Sequence, residues 1–448
     1  MRTRTRMSRR LAALAAVAAL GTGLLAGCAD DGKSPAADGS SAGGGGGGGG
    51  GGKTVLTVGV FGAFGLKEAG LYDAYMKLHP DIEIKQTSIE RNENYYPQLL
   101  THLGSGSGLA DIQAVEVSNI AEVTSTQSGK LEDLSKASGV NKDDFLPWKW
   151  AEATTKDSRT VGLGTDIGPT GICYRKDLFA KAGLPTDRDA VGKLWAGDWN
   201  KYLEVGRQYK AKAPSGTAFV DAASGVLNSI TGSSATRYYD ADGKVVYKTN
   251  PAVKQAWDTA AAFATDGLTA KLQQFQPTWD QGFANASFAT VSCPAWMLGY
   301  IQDKAGAAGK DQWDVAAAPK PSNWGGSFLT VPSAGKHKAE AAKLAAWLTA
   351  PAQQAVLFEK RGSFPSAKAA YALPAVGNAK HAYFGNAPIG QIFAKAAEGT
   401  PVQFLGPKDQ IIQQNLSDIG MLQVEQKGKS PQQGWDAAVK AIDNALDQ

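Results

Sequence analysis

The chain has 448 residues, 46 Lys and Arg against 42 Asp and Glu, and a formal charge of +4 at pH 7. A near-balanced charge without a basic run excludes a nucleic-acid binder of the usual electrostatic kind. Four scattered His, at 79, 102, 337 and 381, exclude a His-Glu-x-x-His metal site.

The N-terminus carries the first pattern. Residues 1–10 hold five Arg and no acid, and residues 11–26 form an apolar run, mainly Ala, Leu, Val and Gly. These are the n-region and h-region of a signal peptide. The run is shorter than the ~20 residues a spanning helix needs, and no later apolar stretch reaches that length. It ends in Leu25-Ala26-Gly27-Cys28, the pattern of a bacterial lipobox. Small residues let the chain enter a peptidase cleft, and the thiol carries a diacylglycerol. An ordinary signal peptide with a chance Cys, or a short anchor, is the alternative. Ser8-Arg9-Arg10-Leu11 partly matches a twin-arginine motif, so the export route stays open. Loss of the five leader Arg takes the formal charge from +4 to −1.

Residues 28–53 are the lipidated Cys and a polar, Gly-rich linker with ten consecutive glycines at 43–52. Such a segment cannot bury apolar surface and behaves as a coil with a reach of about 25–30 Å. The glycines are no phosphate cradle, because no strand precedes them and no helix follows. The expected location is the extracellular face of the cell membrane, lipid-anchored through two acyl chains.

Beyond the linker, strands and helices alternate. Residues 53–60 read as a β-branched strand, 68–78 as a helix stopped by His79-Pro80, and 82–89 as a second strand. A helix over 94–103 ends in the Gly-Ser run 104–108, and 111–117 reads as a third strand. Helical spacing recurs at 250–266, 338–348, 352–360 and 435–446. Alternation of this kind predicts an α/β protein with mainly parallel sheets, and ligands beyond the carboxyl ends of strands. About 395 residues exceed one ordinary core and predict two domains. Cys173 and Cys293, in an exported chain, are either paired or free.

Four segments carry a resemblance. Residues 55–60, followed by a helix ending Leu78-His79-Pro80-Asp81-Ile82, form the first. Ala110-Asp111-Ile112-Gln113-Ala114-Val115-Glu116 is the second. The third is Gly171-Ile172-Cys173-Tyr174-Arg175-Lys176-Asp177-Leu178-Phe179-Ala180-Lys181-Ala182-Gly183-Leu184-Pro185. The fourth is 288–297 with Trp313-Asp314-Val315 and Pro319. The chain resembles the extracellular solute-binding proteins of sugar ABC transporters, the group that includes maltose-binding protein. Cys293-Pro294-Ala295-Trp296-Met297 and Asn323-Trp324-Gly325-Gly326-Ser327 look most like the actinobacterial cellobiose and cello-oligosaccharide-binding lipoproteins.

The resemblance implies a two-lobed, type II periplasmic-binding-protein fold, with 54–166 plus 327–375 as lobe 1 and 168–325 plus 378–448 as lobe 2. Chain crossings are expected near 165–169, 326–332 and 375–377. It also implies a Cys173–Cys293 disulfide in lobe 2, a monomer, and a small oligosaccharide in the interlobe cleft. The partners would be an ABC permease pair and its cytoplasmic ATPase, with no cofactor, metal or nucleic acid.

A sugar offers apolar C–H faces to aromatic rings and a rim of hydroxyls to polar side chains. The chain has 11 Trp. Trp257 and Trp347 fall in helical apolar stripes and read as core. Trp279, Trp296 and Trp324 lie among Gly and polar residues and read as packing or ligand contact. The resemblance places Trp296 and Trp324 beside the cleft, with Ser327 in the Asn323–Ser327 segment; Trp148 and Trp150 stand next in line. Asn94 is a helix cap or a ligand contact. Glu116, at a strand's carboxyl edge, and Asp166, in the first crossing, contact ligand or make structural bridges. Phe61 and Phe64, and Arg361 and Phe364, line the cleft or pack.

An enzyme reading finds little support. No Gly-x-Ser-x-Gly elbow is present. A glycosidase needs two carboxylates flanking a bond, for which Glu116 and Asp166 are the nearest pair. A peptide or amino-acid ligand fits a Trp-rich, near-neutral chain poorly. Xylo-oligosaccharides, chitobiose and maltose-type sugars remain rivals to cellobiose.

Overall fold

A computed structural model describes residues 52–447. The leader, Cys28 and nearly all of the linker, and with them the lipidation reading, lie outside the described residues. Nine strands form two sheets: β1 Thr54–Phe61, β2 Ile82–Ile89, β3 Ile112–Glu116, β4 Leu163–Gly164, β5 Thr170–Arg175, β6 Ala218–Val220, β7 Phe288–Pro294, β8 Trp313–Ala317 and β9 Ser327–Thr330. The first sheet has the order β2-β1-β3-β9-β4 and the second β6-β7-β5-β8.

The period-2 pattern builds each sheet's two faces. In β1, Leu56, Val58 and Val60 turn into one core. In β3 and β9, Ala114 and Leu329 join that core while Val115 and Phe328 join the core on the other face. In β5, Ile172 and Tyr174 face one core of the second sheet and Cys173 the other. A strand buried on both sides reads as a continuous apolar run, which is why these segments stood out in the sequence.

The expectation of mainly parallel sheets needs correction, because both sheets are mixed. β1 pairs in parallel with β2 and β3, but β9 is antiparallel to β3 and β4. β6 pairs in parallel with β7, but β5 is antiparallel to β7 and β8. The reversed strands, β5 and β9, are those the chain enters straight from the other sheet. No strand–helix–strand crossover fixes their direction.

The chain therefore passes between sheets at 165–169 and again at 318–326. Between 355 and 376 the chain touches both cores: Leu357 and Ala367 pack in the first sheet's, and Ala355, Phe358, Phe364, Ala370 and Val376 in the second's. The Gly377 backbone is packed: a Cβ there would meet the Tyr371 carbonyl oxygen at 2.8 Å. The expected disulfide is present. Cys173 and Cys293 are bonded across β5 and β7, with Cα atoms 5.6 Å apart and both residues fully buried.

Candidate ligand-binding cleft

The two passages between sheets lie side by side. The Trp324 N–H donates to the Gly168 carbonyl at 2.8 Å, and the Gly168 N–H donates to Asn323 Oδ1 at 2.8 Å. Only glycine fits so close. A Cβ at 326, where φ is +105°, would stand 2.4 Å from the Asp166 carbonyl oxygen. Asp166 fastens the same crossing, accepting from the Ser327 N–H at 3.0 Å and from the Thr165 hydroxyl at 2.7 Å. Burial raises its pKa against those hydrogen bonds.

Beside this junction opens a cavity of about 450 Å³. One wall comes from the end of β3 and the helices that follow. Glu116 caps the helix Val117–Glu122, accepting from the Ser118 N–H at 2.9 Å and from the Ser118 hydroxyl. Burial pushes the Glu116 carboxyl up, while Ser118 and the charge of Lys149 oppose that shift. Trp148 and Glu152 line the cavity from the helix Pro147–Glu152. The Trp148 indole donates to the Ala397 carbonyl at 2.9 Å, and Glu152 pairs with Lys149 at 3.2 Å.

The opposite wall is rich in amides. The helix Asp409–Gln414 presents Gln410, Gln413 and Gln414, spaced to share one face, and Gln273, Gln274 and Gln276 come from the loop between the helices Pro251–Thr265 and Pro277–Ala284. Arg237 also lines the cavity, with its charge answered by buried Asp409. Amides both donate and accept, which suits a neutral ligand carrying many hydroxyls.

Between the walls stands an aromatic surface. Phe275 is 51% exposed. It packs edge-on to Trp324 with ring centroids 6.0 Å apart, and stacks with Trp296 at 6.4 Å. Trp296 and Trp324 meet at 5.6 Å, and the Trp296 indole donates to the Trp324 carbonyl at 3.0 Å. Phe275 and Trp324 line the cavity; Trp296 braces them from behind.

Of the residues expected to bind, the cavity brings together Glu116 and Trp324, backed by Trp296. Trp279 is a correction: it is fully buried and its indole donates to Asp221 at 2.8 Å. Asn94 is the third residue of the helix Asn92–Ser105, exposed and neither cap nor cavity lining, while its neighbour Glu93 lines the cavity. Asp166 and Ser327 fasten the crossing and are not among the residues that line the cavity. Phe64 is half-buried against Phe61, centroids 5.6 Å apart, and also lies outside the lining. Arg361 is exposed at the end of the helix Pro351–Arg361, with its stem over Gly65. Phe364 and Trp150 are core. Phe275 and the glutamines went unread. Their signals were a lone Phe among glutamines just before Pro277 and an amide stripe at 410, 413 and 414.

The chain matches the model of the bacterial extracellular solute-binding protein family over residues 70–385, and it belongs to that family. It is 27% identical over 293 residues to a lactose-binding protein of Rhizobium radiobacter, a match covering 62% of this chain and 65% of that protein's length. A crystal structure of an extracellular solute-binding protein of family 1 superposes with a TM-score of 0.82 at 42% identity, covering 88% of this chain and 99% of that one. The galacto-N-biose-/lacto-N-biose I-binding protein of a Bifidobacterium longum ABC transporter, in complex with lacto-N-biose, shares the fold. Its TM-score is 0.71 at 20% identity over 88% of this chain and 96% of the other. The architecture is thus the type II fold that the sequence pointed to, and the family is one of binding proteins rather than enzymes.

Proposed function

We propose that this chain is the capture component of an ABC importer for a short neutral oligosaccharide, with cellobiose or a cello-oligosaccharide as the ligand. The observation that carries this reading is the half-exposed Phe275 beside Trp324 on the wall of a cavity rimmed by amides and carboxylates. The rings would take a sugar's C–H face, and Glu116, Gln413 and their neighbours its hydroxyls. Relatives named for lactose, or crystallised with lacto-N-biose, support a ligand of disaccharide size.

In this reading the lobes close about the glycine-lined passages, and the closed form docks on a permease pair driven by a cytoplasmic ATPase. Lipid on Cys28 holds the protein at the outer face of the membrane. Mass spectrometry of membrane-extracted protein checks the anchor: a diacylated Cys28 at the N-terminus is expected, and an unmodified Cys28 contradicts it.

A thermal-shift screen against cellobiose, cellotriose, xylobiose, chitobiose, maltotriose and lactose tests the ligand. A sugar at 100 times its Kd should stabilise the protein by about 2.7 kcal/mol. The largest shift is expected with the cello-oligosaccharides; a larger shift with another sugar moves the assignment to it.

A further inference from the structure

The loop that carries Phe275 is held by a buried carboxylate outside the cavity lining. Asp221 follows β6 and is 2% exposed. Its Oδ2 accepts from the Gln274 amide at 2.8 Å and from the Trp279 indole at 2.8 Å, while the Leu272 N–H donates to its carbonyl at 3.2 Å. Between these ties the backbone takes a strained path, with φ of 57° at Lys271 and 64° at Phe275, neither of them glycine. Left-handed backbone at a large side chain persists only where its surroundings impose it.

Two glycines make room for the loop. A Cβ at 225 would meet the Gln274 amide nitrogen at 2.7 Å, and one at 282 would meet Leu272 Cδ1 at 2.8 Å. Trp279, pinned by Asp221, lies under the Phe275 ring with centroids 5.1 Å apart. One carboxylate thus fixes a cavity-lining amide and the support of the exposed ring together.

We propose that Asp221 is a positioning residue for saccharide recognition, holding the 271–276 loop in the strained shape that turns Phe275 and Gln274 toward the ligand. This rests on the oligosaccharide reading of the cleft. Burial raises the Asp221 carboxyl to about 6, against the hydrogen bonds from Gln274 and Trp279. Protonation there removes the charge from both bonds, and charge-assisted hydrogen bonds are roughly twice as strong as neutral ones. The ionisable groups facing this site are Glu425, whose carboxylate accepts from the Ala223 N–H at 2.8 Å, Lys271 beside Glu425, and Tyr202 from the helix Trp199–Lys212.

The test uses Asp221→Asn, which keeps one amide oxygen for the two donors but takes the negative charge from both bonds and puts an NH2 in place of the second carboxylate oxygen. The probe is whichever of cellobiose, cellotriose, xylobiose, maltotriose and lactose the parent binds most tightly. At pH 7.5 the variant should bind it about tenfold more weakly or worse, the equivalent of one lost charged hydrogen bond. The parent should lose affinity as pH falls through about 6. The variant should stay level from pH 7.5 to 5, and Glu425→Gln should keep the parent's profile.

Amide hydrogen exchange across 271–276, without sugar and corrected for intrinsic rates, should be about tenfold faster in the variant. Parent-like affinity and loop exchange in Asp221→Asn, or loss of the pH profile in Glu425→Gln, overturns the proposal. Should Asp221→Asn not fold, the parent's Trp279 indole resonance decides: it should shift with a midpoint near 6, and a flat resonance overturns the claim. A parent that binds none of the sugars defeats the oligosaccharide reading instead, and loop exchange still judges Asp221.

Discussion

Gly168 and Trp324 touch across the two passages so closely that a Cβ on residue 168 would stand 1.8 Å from the Trp324 carbonyl oxygen. The contact joins the junction between sheets to the aromatic wall of the cavity, because Trp324 belongs to both. A methyl at this point must part the two strands. Gly168→Ala should therefore cost about 1–3 kcal/mol, the range of overpacked sites. It should also weaken ligand binding by displacing Trp324. Urea unfolding and calorimetry read the two effects, and a parent-like midpoint contradicts the tight passage.

The Cys173–Cys293 bond closes a loop with a sequence separation of 120 residues. Loop-closure entropy assigns such a cross-link about 4–5 kcal/mol, and strain or residual structure usually lowers the measured value. Unreduced, denatured protein should show neither of these two thiols in an Ellman titration. The Cys173→Ala, Cys293→Ala double variant should unfold at a clearly lower urea concentration. Two titratable thiols at these positions would refute the bond.

Acid should affect Asp221 in a defined direction. Its carboxyl is raised by burial from 3.8 to about 6. Between those values the unfolded chain has released this proton and the native state keeps it. The group's contribution to stability therefore falls as pH rises from about 4 to about 6, by up to about 3 kcal/mol, and is level above. The stability difference between parent and Asp221→Asn should shrink across that window. A difference that is flat with pH would show that Asp221 stays ionised in the fold.

Much of the fold was legible because local pattern and tertiary environment agree. The strand at 82–89 and the helix at 338–348 were placed to the residue, since β-branched alternation and an amphipathic stripe leave little choice. Strand direction in β5 and β9 was not legible, because it depends on the chain's return from the other sheet. The site was half legible. Trp324 and Glu116 sit in motifs, whereas Trp279 lies four residues past the ring that reaches the cavity, Phe275. Which of two nearby aromatics faces solvent was decided by the buried Asp221, a partner 58 positions from Trp279. No local pattern carries that information.

The central claim is that the cavity captures a neutral oligosaccharide on the Phe275 and Trp324 rings. Isothermal titration calorimetry of the parent, Phe275→Ala and Trp324→Ala with cellotriose tests it most directly. Phe275 is 51% exposed, so its removal should leave the melting temperature almost unchanged. Truncating a platform residue should cost about 2 kcal/mol of binding, roughly thirtyfold in Kd. The predicted result is saturable binding by the parent and at least a tenfold loss in each variant. Parent-like binding in both folded variants, or no binding of cellotriose or any other neutral oligosaccharide by the parent, would contradict the account.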